Sequence, residues 1–314
     1  MRVLLNSNAG SAGDCDVEAL HAVAAEIGAE IAEVDDEDAT RDAIREAAAA
    51  GVDTIVAAGG DGTVHLVADT LMSCGASADE RPALGILPLG TGNDFARTLG
   101  MPLGDPEAAL RLLDTAPARV MDVIRLSHAG AGPCHAVNVC SGGFSGAVDE
   151  ALDDDLKATW GPLAYLVGAA KALPDLTDYR TFVSWDDGPE ERLDAFNIVV
   201  ANGRTAGGGK PVAPLANPED GLLDVVVVRS GGAADVARLF AGLLTKDYLA
   251  DQHVVFNRVR KVTIRSTPGM WFNVDGELRT NQPVTFESVP GALRVRVGPD
   301  YEAAPDPSDW PIAA

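Results

Sequence analysis

Two glycine-rich strings in the first third of the chain each follow an apolar, β-prone run. Gly59-Gly60-Asp61-Gly62-Thr63 comes after Asp53–Ala58, and Pro88-Leu-Gly90-Thr91-Gly92-Asn93-Asp94-Phe95 comes after Ala83–Leu87. A strand that ends in glycines and then opens a helix is how a parallel α/β sheet presents bare backbone N–H groups to a phosphate. One such loop is ordinary strand-to-helix geometry. Here two lie about 30 residues apart, and both carry Thr and Asp beside the glycines. Hydroxyls and carboxylates suit phosphate and metal–nucleotide contacts better than turn-making alone.

The surrounding pattern fits a doubly wound, Rossmann-like sheet. From residue 1 to about 122, short β-prone runs alternate with helical segments at 16–28, 39–50, 64–73, 93–99 and 106–114, with Thr40 expected to cap the second of these. Ligands of such sheets sit beyond the strand C-terminal ends, where both glycine loops fall. From about 123 the texture changes to roughly ten short β-prone stretches bounded by Gly, Pro, Asn and Asp, which predicts an antiparallel, sandwich-like domain over 123–298. Helical insertions are expected at 146–173 and 233–250, and the tail 299–314 is expected to fold back on the first domain.

A chain of 314 residues favours two domains. No apolar run approaches the roughly 20 residues that span a bilayer, and the N-terminus reaches polar residues too soon for a signal peptide. The expectation is therefore a soluble, cytoplasmic protein. Cys15, Cys74, Cys134 and Cys140 have neither CxxC spacing nor zinc-finger histidines and read as reduced thiols. Asp and Glu number 47 against 24 Lys and Arg, a net charge of −23, and only five of the cations are lysine. Self-repulsion on that scale is tolerated where ions screen it, which suggests a halophilic, salt-rich interior. Nucleic acid is excluded as a partner, since no basic stripe exists to neutralise its phosphates.

GGDGT, the run Pro88 to Arg97 and a later Asn273-Val-Asp275-Gly-Glu277 resemble the catalytic-domain pattern of diacylglycerol kinases and soluble bacterial-type lipid kinases. That group is related to sphingosine kinases and, more distantly, to NAD kinases. Asn6-Ser7-Asn8-Ala9-Gly10, Gly161–Tyr165, Gly207–Pro214 and Asp220–Leu223 follow the same order across almost the whole chain. The sequence departs from the pattern at Ser7, where a Pro is usual, and at Glu33 and Glu37-Asp38-Ala39, where the pattern has a Thr before Gly-Asp-Ala.

The resemblance implies ATP phosphates cradled by Asn6–Gly10, Gly59–Thr63 and Gly90–Asn93, with Asp61 acting through Mg²⁺ or through hydrogen bonds. It makes Asp275 and Glu277 the catalytic carboxylates. If extended, they share one face about 7 Å apart, placed to accept a hydroxyl proton and hold a metal. Either could be the base; Glu277, beyond the glycine hinge, has the longer reach. Asp275-Gly276 also reads as a plain turn. Asn217, Asp220 and Leu222 resemble the family's structural Mg²⁺ loop, with Asp94 and Asp122 as acids relaying that ion's field through waters to Mg–ATP. Lys210 is equally a surface lysine or a phosphate contact. The implied reaction is ATP-dependent phosphorylation of a lipid alcohol such as diacylglycerol, met at the membrane surface. An NAD kinase-like acceptor and a non-catalytic nucleotide module are the rivals, and homodimerisation stays open.

Overall fold

The computed structural model describes residues 1–6, 16–75, 77–143, 178–232 and 246–312, together with 235, 238, 239, 242, 243 and 245. The expected helix 146–173 and the Gly161–Tyr165 motif lie outside the described residues, as do Ser7, Asn8, Ala9 and Gly10.

The first sheet opens with β1 (Arg2–Asn6), β2 (Glu30–Val34), β3 (Thr54–Gly59) and β4 (Ala83–Pro88), parallel in the order β2-β1-β3-β4. Every residue of β3 and β4 is buried, as continuous apolar strands covered on both faces should be. The helices are α1 (Val17–Glu26), α2 (Glu37–Ala49), α3 (Asp61–Leu71), α4 (Asp94–Thr98) and α5 (Pro106–Thr115). Asp16, Asp36 and Asp105 cap α1, α2 and α5, each accepting from the backbone N–H three residues on. The cap of α2 is thus Asp36 and not Thr40, which is buried in the first turn and donates its hydroxyl to Asp36 O.

Beyond α5 lie β5 (Ala118–His128), β6 (Cys134–Ala136), β7 (Val139–Gly143), β8 (Arg180–Trp185), β9 (Glu191–Arg192), β10 (Ala195–Ala201), β11 (Leu223–Arg229), β12 (Val254–Val259), β13 (Lys261–Thr267), β14 (Phe272–Val274), β15 (Glu277–Thr280) and β16 (Val284–Arg296). A wholly antiparallel second sheet runs β12-β11-β10-β7-β14-β15. It packs on β5, β6, β8, β13 and the first half of β16 through Ile124, Val183, Ile198, Val225, Phe272 and Phe286. This is the sandwich expected from the strand density.

The last β-prone stretches of the chain form one long strand, β16, with an irregularity between Val289 and Leu293. Its first half pairs with β13 and its second half joins β4 in parallel, so one strand serves both parts of the first sheet. Of the 233–250 segment, Asp235, Arg238, Leu239, Gly242, Leu243 and Thr245 are helical, and Tyr248–Ala250 closes it with a 3-10 turn. The tail divides between two surfaces. Tyr301 packs beside the first core, whereas Trp310 stands edge-on to Tyr248, centroids 6.3 Å apart, over the outer face of the second sheet.

Candidate active site

β1, β3 and β4 end side by side, which brings Asn6, Gly59 and Pro88 to one edge of the sheet. Asn6 Nδ2 donates to Thr63 Oγ1 at 3.0 Å, tying the end of β1 to the first turn of α3. No side chain caps α3: Gly60 is its N-cap residue, so the helix offers unprotected N–H groups where β3 stops. Gly62 has open space around it, and Thr91 is exposed at the rim.

The two glycine loops touch backbone to backbone. A Cβ on Gly90 would lie 2.4 Å from Gly60 Cα, and one on Gly92 would lie 2.5 Å from Asp61 Oδ2. At Gly90 the clash is with backbone and no side chain fits, whereas at Gly92 a side chain would displace the Asp61 carboxylate. Asn93 adopts a left-handed conformation (φ 52°) and closes the second loop on itself, its Oδ1 accepting from Gly90 N and its Nδ2 donating to Gly90 O.

Asp61 does something its local sequence does not announce. Its Oδ1 accepts from Asp94 N at 2.8 Å, so a residue of the first loop anchors the start of α4 in the second. Burial raises its pKa and the neighbouring Asp94 and Asp275 carboxylates add to the rise, while the N–H groups of Asp94 and Phe95 oppose it. A carboxyl so crowded by negative charge suits a position facing a cation. Asp94 is itself buried and accepts from Gly208 N (2.9 Å) and Gly209 N (2.6 Å), clamping the Gly207–Lys210 loop onto the start of α4. Lys210 donates within that loop, to Gly207 O.

The Asp275-Gly276 pair is a hairpin turn between β14 and β15, with φ of 45° and 107° and Val274 paired to Glu277. Positive φ at both central residues is the geometry that two-residue hairpin loops favour. The expected extended spacing of Asp275 and Glu277 on one face therefore does not occur, because the chain reverses between them. Asp275 is nonetheless buried, and accepts from Val137 N (3.1 Å) and Val139 N (2.9 Å), with His65 Nδ1 3.4 Å away. Glu277 opens β15. His65, two residues beyond GGDGT, carries no signal in its local sequence for this contact, because only the fold brings β14–β15 against α3.

The loop Asn217–Leu222 lies elsewhere. Asn217 Oδ1 accepts from Glu219 N, Asp220 Oδ1 accepts from Leu222 N at 2.9 Å, and Asp220 Oδ2 pairs with Arg258. Asp122, buried, accepts from Gly221 N (2.6 Å) and Gly291 N (2.8 Å), so it braces this loop against the bend in β16. Burial raises its pKa against those two donors. A cavity of about 460 Å³ is lined here by Asp122, Glu219, Asp220 and Arg260. Among the described residues no three His, Cys, Asp or Glu side chains converge in a metal-binding group. An ion at this loop would therefore depend on Asp220 together with backbone carbonyls.

Residues 1–126 match the family model of the diacylglycerol kinase catalytic domain, and residues 138–297 match the YegS C-terminal NAD kinase beta sandwich-like domain. A "Probable lipid kinase YegS-like" protein of Xanthomonas axonopodis pv. citri is 38% identical over 258 residues, 81% of this chain and 82% of the relative. The chain belongs to the YegS-like lipid kinase family. A further relative of the same description, from Pseudomonas aeruginosa, is 36% identical over 94% of both chains. A solved structure described as a diacylglycerol kinase of Bacillus anthracis shares the fold, with a TM-score of 0.70 at 23% identity over 96% of this chain and 97% of that one. By this membership the protein is a kinase, a phosphoryl transferase. No helix among the described residues is long and apolar enough to cross a membrane.

Proposed function

We propose that this protein transfers the γ-phosphoryl group of ATP to the hydroxyl of a lipid alcohol such as diacylglycerol, from the cytoplasm and in peripheral contact with the bilayer. The observation that carries the reading is the meeting of an uncapped α3 N-terminus, ringed by two glycine loops, with the buried Asp275 hairpin on the same helix. Both relatives named above are described as probable lipid kinases, which supports the choice of acceptor.

In this reading the N–H groups of Gly60–Thr63 and the second loop, Gly90–Asn93, hold the phosphates, with Asn6 and Thr63 closing the side towards β1. Asp61 and Asp94 are the carboxylates on that side that suit Mg²⁺, whose charge would neutralise the phosphate oxygens. Glu277 takes the proton from the acceptor hydroxyl as its oxygen attacks the γ-phosphorus and ADP departs. Asp275, already engaged by two backbone N–H groups, holds the turn that presents Glu277. Asn217, Asp220 and Leu222 would hold a second, structural Mg²⁺, and Asp122 braces their loop. The net charge of −23 supports a salt-rich interior, where a Debye length of about 3 Å at molar salt lets an acidic protein approach anionic headgroups.

Thin-layer separation of products from γ-labelled ATP offered mixed lipids or NAD⁺ tests the assignment. Label is expected in a lipid-soluble product. Label in a dinucleotide alone, or in orthophosphate alone, contradicts it.

A further inference from the structure

His65 sits in the first turns of α3, four residues before Asp69 and on the same face. Asp69 accepts from His135 N at 3.0 Å, which fixes that face of the helix against β6. His65 is 1% exposed, and its two ring nitrogens meet opposite ends of the β14–β15 hairpin. Nδ1 lies 3.4 Å from Asp275 Oδ2, and Nε2 lies 3.2 Å from Arg279 Nη2 and 4.0 Å from Cys134 Sγ.

A guanidinium has donors only. For Arg279 to bond the ring, Nε2 must offer its lone pair, and the ring's proton must then sit on Nδ1, aimed at Asp275. Burial lowers the affinity of this imidazole for a second proton, while the hydrogen bond to Asp275 and the contact with Cys134 raise it. The guanidinium 3.2 Å from Nε2 opposes a proton at that atom, and the contact geometry fits the neutral ring. Asp275 thus gains a third donor. The first two come from Val137 and Val139, within the strand framework beside it, and the third comes from the helix whose N-terminus faces the phosphates.

We propose that His65 is a positioning residue for phosphoryl transfer: as the neutral Nδ1–H tautomer set by Arg279, it fixes the Asp275-Gly276 turn, and Glu277 with it, relative to the N-terminus of α3. The inference deepens the kinase reading and rests on it. Its chemistry is a matter of registry. The phosphate loop and the catalytic hairpin belong to different sheets, and His65 is the side chain that touches the turn from the nucleotide side. Asp275 has a positive φ that L-residues rarely adopt, so a donor holding its carboxylate also holds the turn.

His65→Ala is expected to lower kcat about 10- to 100-fold while the nucleotide KM stays within about twofold, the range seen when a group supporting a reactive side chain is lost. His65→Asn places an N–H donor near the position of Nδ1 and has no tautomer to set, so it recovers most of that loss. Arg279→Ala is expected to lower kcat in the His65 protein and to cost nothing further in the His65→Asn background, a non-additivity that a merely structural arginine would not give. An activity-independent readout is ¹⁵N NMR of the imidazoles, with the His65 signals assigned by their loss in His65→Asn. Nitrogen shifts of a neutral Nδ1–H ring at pH 7 support the proposal. A doubly protonated or Nε2–H ring overturns it, as do equal losses in the Ala and Asn variants or an undiminished Arg279→Ala effect in the Asn background. If no acceptor is phosphorylated at all, the kinase reading fails while the ring spectrum still decides the tautomer.

Discussion

Asp224 lies one residue into β11, 1% exposed, and among the described residues its carboxylate oxygens have no hydrogen bond shorter than the long approach of Arg258. The guanidinium of Arg258, already paired with Asp220, approaches it with Nε 3.5 Å from Oδ2. Burial pushes its pKa up to about 7, against the attraction of Arg258 and with the repulsion of Asp220. A carboxyl whose folded pKa exceeds its unfolded value stabilises the fold below the unfolded pKa, and that contribution is lost as pH rises through the folded one. Unfolding free energy should therefore fall by on the order of 4 kcal/mol between pH 4 and pH 8 on account of this group. Asp224→Asn should flatten that slope in denaturant titrations across the range; an unchanged slope contradicts the assignment. Nothing in Gly221-Leu-Leu-Asp224 signals this. The run reads as an ordinary strand entrance, and only the pairing of β11 between β10 and β12 turns Asp224 under the Tyr248 face.

At the scale of elements, what was legible in the sequence was local. The β3–α3 and β4–α4 units could be read because strand, glycine loop and helix are consecutive, α1 because its apolar residues recur at helical spacing, and α5 because Asp105-Pro106 opens it; α2 was read with Thr40 as its cap, where Asp36 serves. What was hidden is long-range. Asp61 anchors α4 from some 33 positions away, and Asp275 reaches His65 across 210. β2 was missed because Glu30-Ile-Ala-Glu-Val34 is an edge strand with two glutamates and only Val34 buried. The loop Asn217–Leu222 was read from a motif, and its ion is testable as an element. Asp220→Ala removes the carboxylate that the motif assigns to the ion, and with it the Asp220–Arg258 ion pair. Stability and activity should fall together, and the rise in Tm on adding Mg²⁺ should shrink. A plain turn residue would cost under about 1 kcal/mol with no loss of turnover. Wild-type activity with the same Mg²⁺-dependent melting would remove the metal loop.

The whole molecule joins a parallel sheet to an antiparallel sandwich through β16, and the Asp275 turn of the second sheet meets α3 of the first part. Its surface is heavily acidic, and many of its ion pairs are solvent-exposed, such as Arg45–Asp42 and Arg265–Glu190, each of little energetic weight. With a net charge of −23, self-repulsion should dominate in dilute buffer, so Tm is expected to rise steeply between 0.1 M and 2 M KCl, as on the order of one Debye length comes to separate neighbouring charges. An unchanged Tm over that interval removes the salt-adapted reading.

The central claim is a division of labour, with nucleotide held by the loops of β3 and β4 and the acceptor hydroxyl activated by the β14–β15 hairpin. The kinetics of Glu277→Gln and Asp275→Asn at saturating Mg–ATP, paired with nucleotide Kd, test it most directly. Glu277→Gln should lower kcat roughly 10²- to 10⁴-fold, the range for a lost general base, with Kd nearly unchanged. Asp275→Asn should cost less and leave Kd equally untouched. Turnover near wild type in both variants, or a loss of nucleotide affinity that accounts for the fall in rate, would contradict the account.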